Sequence, residues 1–293
     1  METIKVKKIL TDQQSAKLKG KFLKDRHWNT LINYDCDGYD INTGQLLFRF
    51  RKNAIPFDIL KSGYNAFKDS INLNGGRGIA AGGYHKQIRK DGTEGKFDVS
   101  PKVESGNVGF MDARAGSGTV AVCRKTAFAK EYFNKYKAGI PFVQYVDKKY
   151  SELCPDHYKK QRAIANGTNK NYIIDNTSFT TVTVNKNFQT AVHKDAGDYP
   201  EGFGNLIIYR EGSYDGGYFV LPEYGLALDL HNTDILFVDV HKWHGNTEFK
   251  NCSDDWKRIT FVMYYREYMY KCKSPKEELQ RIKMDQTGYL KLW

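Results

Sequence analysis

His193 and Asp195 stand two residues apart in Thr190-Ala-Val-His-Lys-Asp195, and two more histidines follow in Asp239-Val-His241-Lys-Trp-His244-Gly245. On an extended strand, residues i and i+2 project from the same face. His193 and Asp195 therefore aim an imidazole and a carboxylate at one point. A histidine from a later strand completes three ligands on one side of a metal. Two histidines and one carboxylate, with the opposite face open, suit non-haem Fe(II) and O2 chemistry. His241 and His244 are both candidates for the third ligand. Three residues apart on a strand they face opposite sides. His244 is favoured, because His-Gly-Asn turns the chain just past a strand end, which leaves His241 as a neighbour of the site or a surface residue.

Arg258 opens a later strand, and Thr260 shares its face. A buried guanidinium with a hydroxyl beside it suits the far carboxylate of 2-oxoglutarate, whose keto-acid end chelates iron. The competing reading of Arg258 is a structural ion pair with Asp254 or Asp255. His27, His85, His157 and His231 have no ligand spacing.

The elements that must position these residues are β-strands. Phe179-Thr-Thr-Val-Thr-Val184 is β-branched and reads as a strand. Short strand candidates follow at 204–210, 217–221, 226–230, 234–240 and 258–265, separated by Gly, Pro, Asn or Asp. That spacing predicts a sandwich or barrel rather than βαβ units. Earlier in the chain, 11–25 carries a short helical pattern behind Thr11 or Asp12, and 126–165 reads as helical, restarting at Pro155. Residues 30–100 read as irregular, with short strand candidates such as Gln45–Phe50. Ser274-Pro275 predicts the start of a surface helix. The expectation is a single oxygenase domain over 1–293. In it, helical and irregular support and substrate elements occupy 1–170, a β core with the metal site 171–270, and a C-terminal helix 271–293.

Several features bound the partners. Lys and Arg number 45 against 34 acidic residues, a formal charge of +11, which favours polyanions such as DNA. Lysines interleaved with tyrosines, at 84–96 and in Lys148-Lys149-Tyr150 with Tyr158-Lys159-Lys160-Gln-Arg162, suit phosphate contact and base stacking; the competing reading of each is a solvated helix face. The first of these segments reads as a hairpin with Asp91-Gly92 at its tip. The glycine run at 75–83 lacks a phosphate-binding Gly-Lys-Ser/Thr and reads as a turned loop or as a lid. Cys36, Cys123, Cys154, Cys252 and Cys272 are odd in number and scattered, so all are expected to be reduced. No apolar run is of membrane-spanning length and the N-terminus lacks a signal-peptide pattern. The expectation is an intracellular monomer in the cytoplasm or nucleus of the host cell. Its Lys, Asn and Tyr content is compatible with an AT-rich genome, for example a viral one.

The stretch Thr181–Arg266 resembles the TET/JBP branch of the Fe(II)/2-oxoglutarate dioxygenases. The resemblance is carried by Val184-Asn-Lys-Asn-Phe-Gln-Thr-Ala-Val-His-Lys-Asp195, Gly202-Phe-Gly-Asn-Leu206, Tyr214-Asp-Gly-Gly-Tyr-Phe-Val-Leu-Pro-Glu-Tyr-Gly225, Asp234–Asn246 and Arg258-Ile-Thr260. It implies an α+β protein with a mostly β core, a double-stranded β-helix or jelly roll, flanked by helices. It implies His193, Asp195 and His244 as Fe(II) ligands, Arg258 and Thr260 as the anchor of the 2-oxoglutarate cosubstrate, and Asn185 facing cosubstrate or substrate. It further implies O2-dependent hydroxylation of the methyl group of 5-methylcytosine or thymine in DNA. The alternative is a 2-oxoglutarate oxygenase acting on a free nucleoside, another small molecule or a protein side chain.

Overall fold

The computed structural model describes residues 2–72, 76–89, 91–113 and 122–286. In chain order its strands are β1 (Glu2–Val6), β2 (Thr30–Ile32), β3 (Cys36–Asp40), β4 (Leu46–Arg51), β5 (His85–Ile88), β6 (Glu94–Val99), β7 (Ser105–Met111), β8 (Arg124–Lys125), β9 (Thr181–Lys186), β10 (Gly204–Glu211), β11 (Asp215–Gly216), β12 (Phe219–Leu221), β13 (Leu226–Leu228), β14 (Ile235–Val238), β15 (Gly245–Asn246), β16 (Phe249–Lys250) and β17 (Lys257–Tyr264). The helices are α1 (Asp12–Ala16), α2 (Phe57–Phe67), α3 (Ala127–Glu131), α4 (Phe133–Leu153), α5 (Pro155–Gly167) and α6 (Pro275–Gln286).

Side-chain alternation explains how these elements layer. Along β10, Leu206 and Ile208 join one hydrophobic cluster while Ile207 and Tyr209 join another. Strand β14 does the same, with Leu236 and Val238 against Ile235 and Phe237. Strands buried on both faces read as nearly continuous apolar runs. They lie at the centre of a nine-stranded sheet, in the order β1-β3-β4-β14-β10-β17-β9-β7-β8. A four-stranded sheet, β15-β12-β13-β2, faces it. Phe219, Leu221, Leu226 and Leu228 of the small sheet pack on Phe48, Phe50, Leu206 and Leu236 of the large one. The other face of the large sheet is covered by α2, α4 and α5, where Phe142 of α4 meets Phe261 of β17 edge-on with ring centroids 5.2 Å apart. Each such fully buried side chain contributes about 1.5–3 kcal/mol. The mostly β, two-sheet core with flanking helices is the expected jelly roll.

Helix boundaries follow local chemistry. Thr11 caps α1 in a reciprocal capping box with Gln14. Thr126 caps α3, and Pro155 occupies the first turn of α5. The Gly216-Gly217 pair has φ of 76° and 67°, and a Cβ on Gly216 would lie 2.1 Å from the Glu248 carbonyl oxygen. The pair lets the chain approach the β16 backbone where no other residue fits.

Three expectations are corrected. The stretch 30–100 is less irregular than its glycines imply: β2, β3 and β4 belong to the two sheets, so the core draws on strands well outside 171–270. Cys123 and Cys272 form a disulfide with Cα atoms 5.7 Å apart, while Cys36, Cys154 and Cys252 are free. A sequence separation of 149 leaves no spacing motif to read. The tyrosines of the second basic segment are structural: Tyr150 is fully buried, and the Tyr158 hydroxyl donates to Asp147. Helical periodicity turns those rings into the core under the sheet, away from any base. Among the described residues, no helix is long and apolar enough to cross a membrane. Residues 287–293 of the expected C-terminal helix lie outside the described residues.

Candidate metal centre

The two sheets open at one end into a cavity of about 370 Å³. Its floor is the inward row of the large sheet. Strand register sets Ser105 opposite Asn185 and Asn185 opposite Thr260, and sets Asn107 opposite Thr183 and Thr183 opposite Val262. Residues directly opposite on neighbouring strands point to the same face, so these side chains share the floor.

His193 and His244 meet at the wall. Each donates its backbone N–H to the other's carbonyl, at 2.9 and 3.0 Å, a directly opposed pair that holds both rings on one side with centroids 4.3 Å apart. The Asp195 N–H donates to the Val240 carbonyl. One ligand atom from each of His193, Asp195 and His244 lies within 4.8 Å of the others, and no other such group occurs among the described residues. Nδ1 of His193 contacts the Ala191 carbonyl at 2.8 Å, and Nδ1 of His244 contacts the Lys242 carbonyl at 2.9 Å. A carbonyl only accepts, so in each ring Nδ1 carries the proton and Nε2 keeps its lone pair. Both Nε2 atoms face Asp195, at 3.5 and 3.6 Å. Burial pushes the His193 pKa down to about 4, with the neighbouring His244 adding to the effect. Burial works against the Asp195 carboxylate, but the neighbouring His244, His193 and His241 outweigh it and hold its pKa below the usual range. Neutral imidazoles with free Nε2 atoms and an ionised carboxylate form a donor set that fits Fe(II). His241 lies apart. Its Nδ1 contacts Asp239 at 3.2 Å, and that contact raises its pKa.

Arg258 is 4% exposed. Its Nη1 donates to Thr260 Oγ1 at 2.6 Å, and no ion pair to it occurs among the described residues. Asp255 accepts from Ser253 instead. The rings of Phe249, Tyr214 and Trp256 pack beside it. A buried, acid-free guanidinium that lines a cavity fits an incoming carboxylate. Burial lowers its pKa from the ordinary arginine value.

All six residues singled out from the sequence line this one cavity. Others there left no sequence signal. Arg77, within the glycine-rich run, donates to Ser105 Oγ and to Asn107 Oδ1. Because arginine only donates, Ser105 must pass its own proton onward to Asn185 Oδ1. The Asn185 amide is thereby oriented with its NH2 free. Asn246 accepts from Thr190 at 2.6 Å, and Phe219 stacks on His244 with centroids 5.3 Å apart. The expected loop at 75–83 is, over 77–80, part of the cavity wall. Gly75 lies outside the described residues.

Comparison with known proteins bears on this geometry. The thymine dioxygenase JBP1 of Trypanosoma brucei brucei is 35% identical over 192 residues, covering 61% of this chain and 22% of the relative. The bifunctional helicase and thymine dioxygenase JBP2 of Trypanosoma cruzi is 38% identical over 183 residues, covering 62% of this chain and 16% of the relative. The chain thus spans about a fifth of the length of these curated relatives. The solved structure of NgTET1 in complex with 5mC DNA superimposes with a TM-score of 0.59 at 13% identity, over 86% of both chains, and shares the fold. Residues 108–267, more than half of the chain, match the family model of the Tet_JBP oxygenase domain, so the chain belongs to the Tet_JBP family of the 2OGFeDO superfamily, which uses Fe(II) and 2-oxoglutarate.

Proposed function

We propose that this chain is an Fe(II)/2-oxoglutarate-dependent dioxygenase that hydroxylates the methyl group of a pyrimidine base, thymine or 5-methylcytosine, in DNA. The observation that carries the reading is the His193–Asp195–His244 cluster in a cavity whose lining also contains the acid-free Arg258–Thr260 pair. The JBP relatives are named for thymine oxidation, the NgTET1 structure contains 5mC DNA, and the chain's charge of +11 suits a polyanion.

In this reading His193 and His244, through Nε2, and Asp195 would hold Fe(II). With 2-oxoglutarate bound there, Fe(II) would supply O2 activation, one oxygen atom ending in the hydroxymethyl product and the other in succinate, with release of CO2. Arg258 binds the far carboxylate in a bidentate way, and Thr260 holds the guanidinium in line. Asn185, locked by Ser105, offers amide hydrogens to an oxygen of the bound molecules. The apolar walls at Phe219, Val238 and Val240 keep water from the reacting carbon. A base in duplex DNA reaches the cavity by leaving the stack.

The test is incubation with Fe(II), 2-oxoglutarate and a panel of thymine- and 5-methylcytosine-containing DNA, followed by digestion and mass spectrometry. A hydroxymethyl base is expected from at least one DNA, and none from His193→Ala. Oxidation of free nucleosides alone, with every DNA untouched, overturns the DNA assignment.

A further inference from the structure

Between the cavity wall and β7 the chain forms an antiparallel ribbon, β5–β6, that pairs with no other strand among the described residues. Every residue of β5 is exposed. Phe97 is 72% exposed, Ile88 63% and Tyr84 61%. A lone two-stranded hairpin is marginally stable in water, and large apolar side chains grouped on such an element mark a contact surface. The ribbon lies outside the 108–267 stretch matched by the family model.

Its root is pinned to the cavity rim. The Gly78 N–H donates to Ser100 Oγ at 2.9 Å, and a Cβ on Gly78 would lie 2.7 Å from the Tyr84 hydroxyl oxygen. Gly78 opens the short turn Gly78–Ala81, whose Ala80 carbonyl accepts from the Ala191 N–H at 2.8 Å, two residues ahead of His193. Arg77, Ile79 and Ala80 line the cavity itself. The ribbon therefore stands beside the opening through which a substrate reaches the metal centre. Its sequence carries Lys86, Arg89, Lys90, Lys96 and Lys102 against Asp91, Glu94 and Asp98. A groove of B-form DNA admits a two-stranded β-ribbon, and Phe and Ile are side chains that wedge between base steps.

We propose that β5–β6 is a DNA-docking arm. It enters a groove of double-stranded DNA next to the target pyrimidine, and Phe97, on the ribbon face it shares with Val99, fills the gap in the base stack that opens when that base turns into the cavity. The inference rests on the DNA reading above. It is tested by the variant Phe97→Ala, whose side chain is exposed and supports no core. Duplex binding is measured by fluorescence anisotropy. Base extrusion is measured with 2-aminopurine beside the target base, and mass in solution by light scattering. The variant is expected to bind duplex roughly tenfold more weakly or worse, to lose the 2-aminopurine signal, and to keep its iron-dependent turnover of 2-oxoglutarate. Unchanged duplex affinity and extrusion overturn the arm, as does a wild-type protein that binds no duplex. A wild-type dimer that the variant abolishes also overturns it, by assigning the ribbon to self-association. If the wild-type protein binds duplex through the ribbon yet oxidises no DNA base, the arm stands and the proposed reaction falls.

Discussion

Arg258 concentrates the physical argument at the scale of single residues. A guanidinium that is 4% exposed, donates to the Thr260 hydroxyl and makes no ion pair among the described residues is costly to keep unless an anion joins it. Removing one member of a buried, hydrogen-bonded charge pair costs about 2–5 kcal/mol. Arg258→Ala is therefore expected to raise the KM for 2-oxoglutarate by roughly 30-fold or more, with a smaller effect on the KM for DNA. Steady-state kinetics with each substrate varied in turn checks this, and equal shifts in both constants would refute the anchor role. Period-two spacing is why this part of the site could be read: Arg258 and Thr260 are an i, i+2 pair on β17, and His193 and Asp195 have the same spacing from the isolated bridge that joins His193 to His244. Arg77, Ser105 and Asn107 could not be read in the same way. They reach the floor from a loop and a strand far from the motifs, and hydrogen bonds whose direction is set by the arginine leave no mark in residue spacing.

Among the elements, those with strong local rules were legible. Thr126 and Pro155 mark helix starts, Asp91-Gly92 turns the ribbon, and the β-branched run at 179–184 falls largely in β9, which starts and ends two residues later. Strand β7 was missed because its sequence, Ser-Gly-Asn-Val-Gly-Phe-Met, contains two glycines. Both are demanded by close approach: a Cβ on Gly106 would lie 2.0 Å from the Ser70 carbonyl oxygen, and one on Gly109 2.5 Å from that of Thr180. Strand propensity is weak wherever packing decides. The Cys123–Cys272 bond ties the chain before β8 to the segment leading into α6, and the Glu278 carboxylate of α6 accepts from the Cys123 N–H at 3.1 Å. Thiol titration of the denatured, unreduced protein is expected to count three free thiols; a count of five would refute the bond. Cys272→Ser should lower stability by about 2–5 kcal/mol, read as a lower denaturant midpoint with a steeper slope, because the unlinked denatured chain exposes more surface.

For the whole molecule, the decisive fact is the interleaving of the large sheet. Strands β14, β10, β17 and β9, which carry most of the motifs, form only its centre. Strands β1, β3 and β4 flank them on one side and β7 and β8 on the other. A fragment spanning 171–270 would bare both edges and the apolar faces that Phe48, Phe50, Val108 and Phe110 now cover. It is expected to be insoluble or to lack a cooperative unfolding transition, whereas 2–286 should melt as one unit. A soluble, cooperatively folded fragment would contradict this dependence. The interleaving also bears on how the protein is made. Strand β4 leaves the ribosome long before its partner β14 exists, and at about 5–20 residues per second the edge that pairs with β14 waits on the order of ten seconds with only β3 and β1 beside it. During synthesis the growing polypeptide is thus an adhesive, half-built sheet, and its yield in a cell should depend on chaperones that shelter that edge until the last strands arrive.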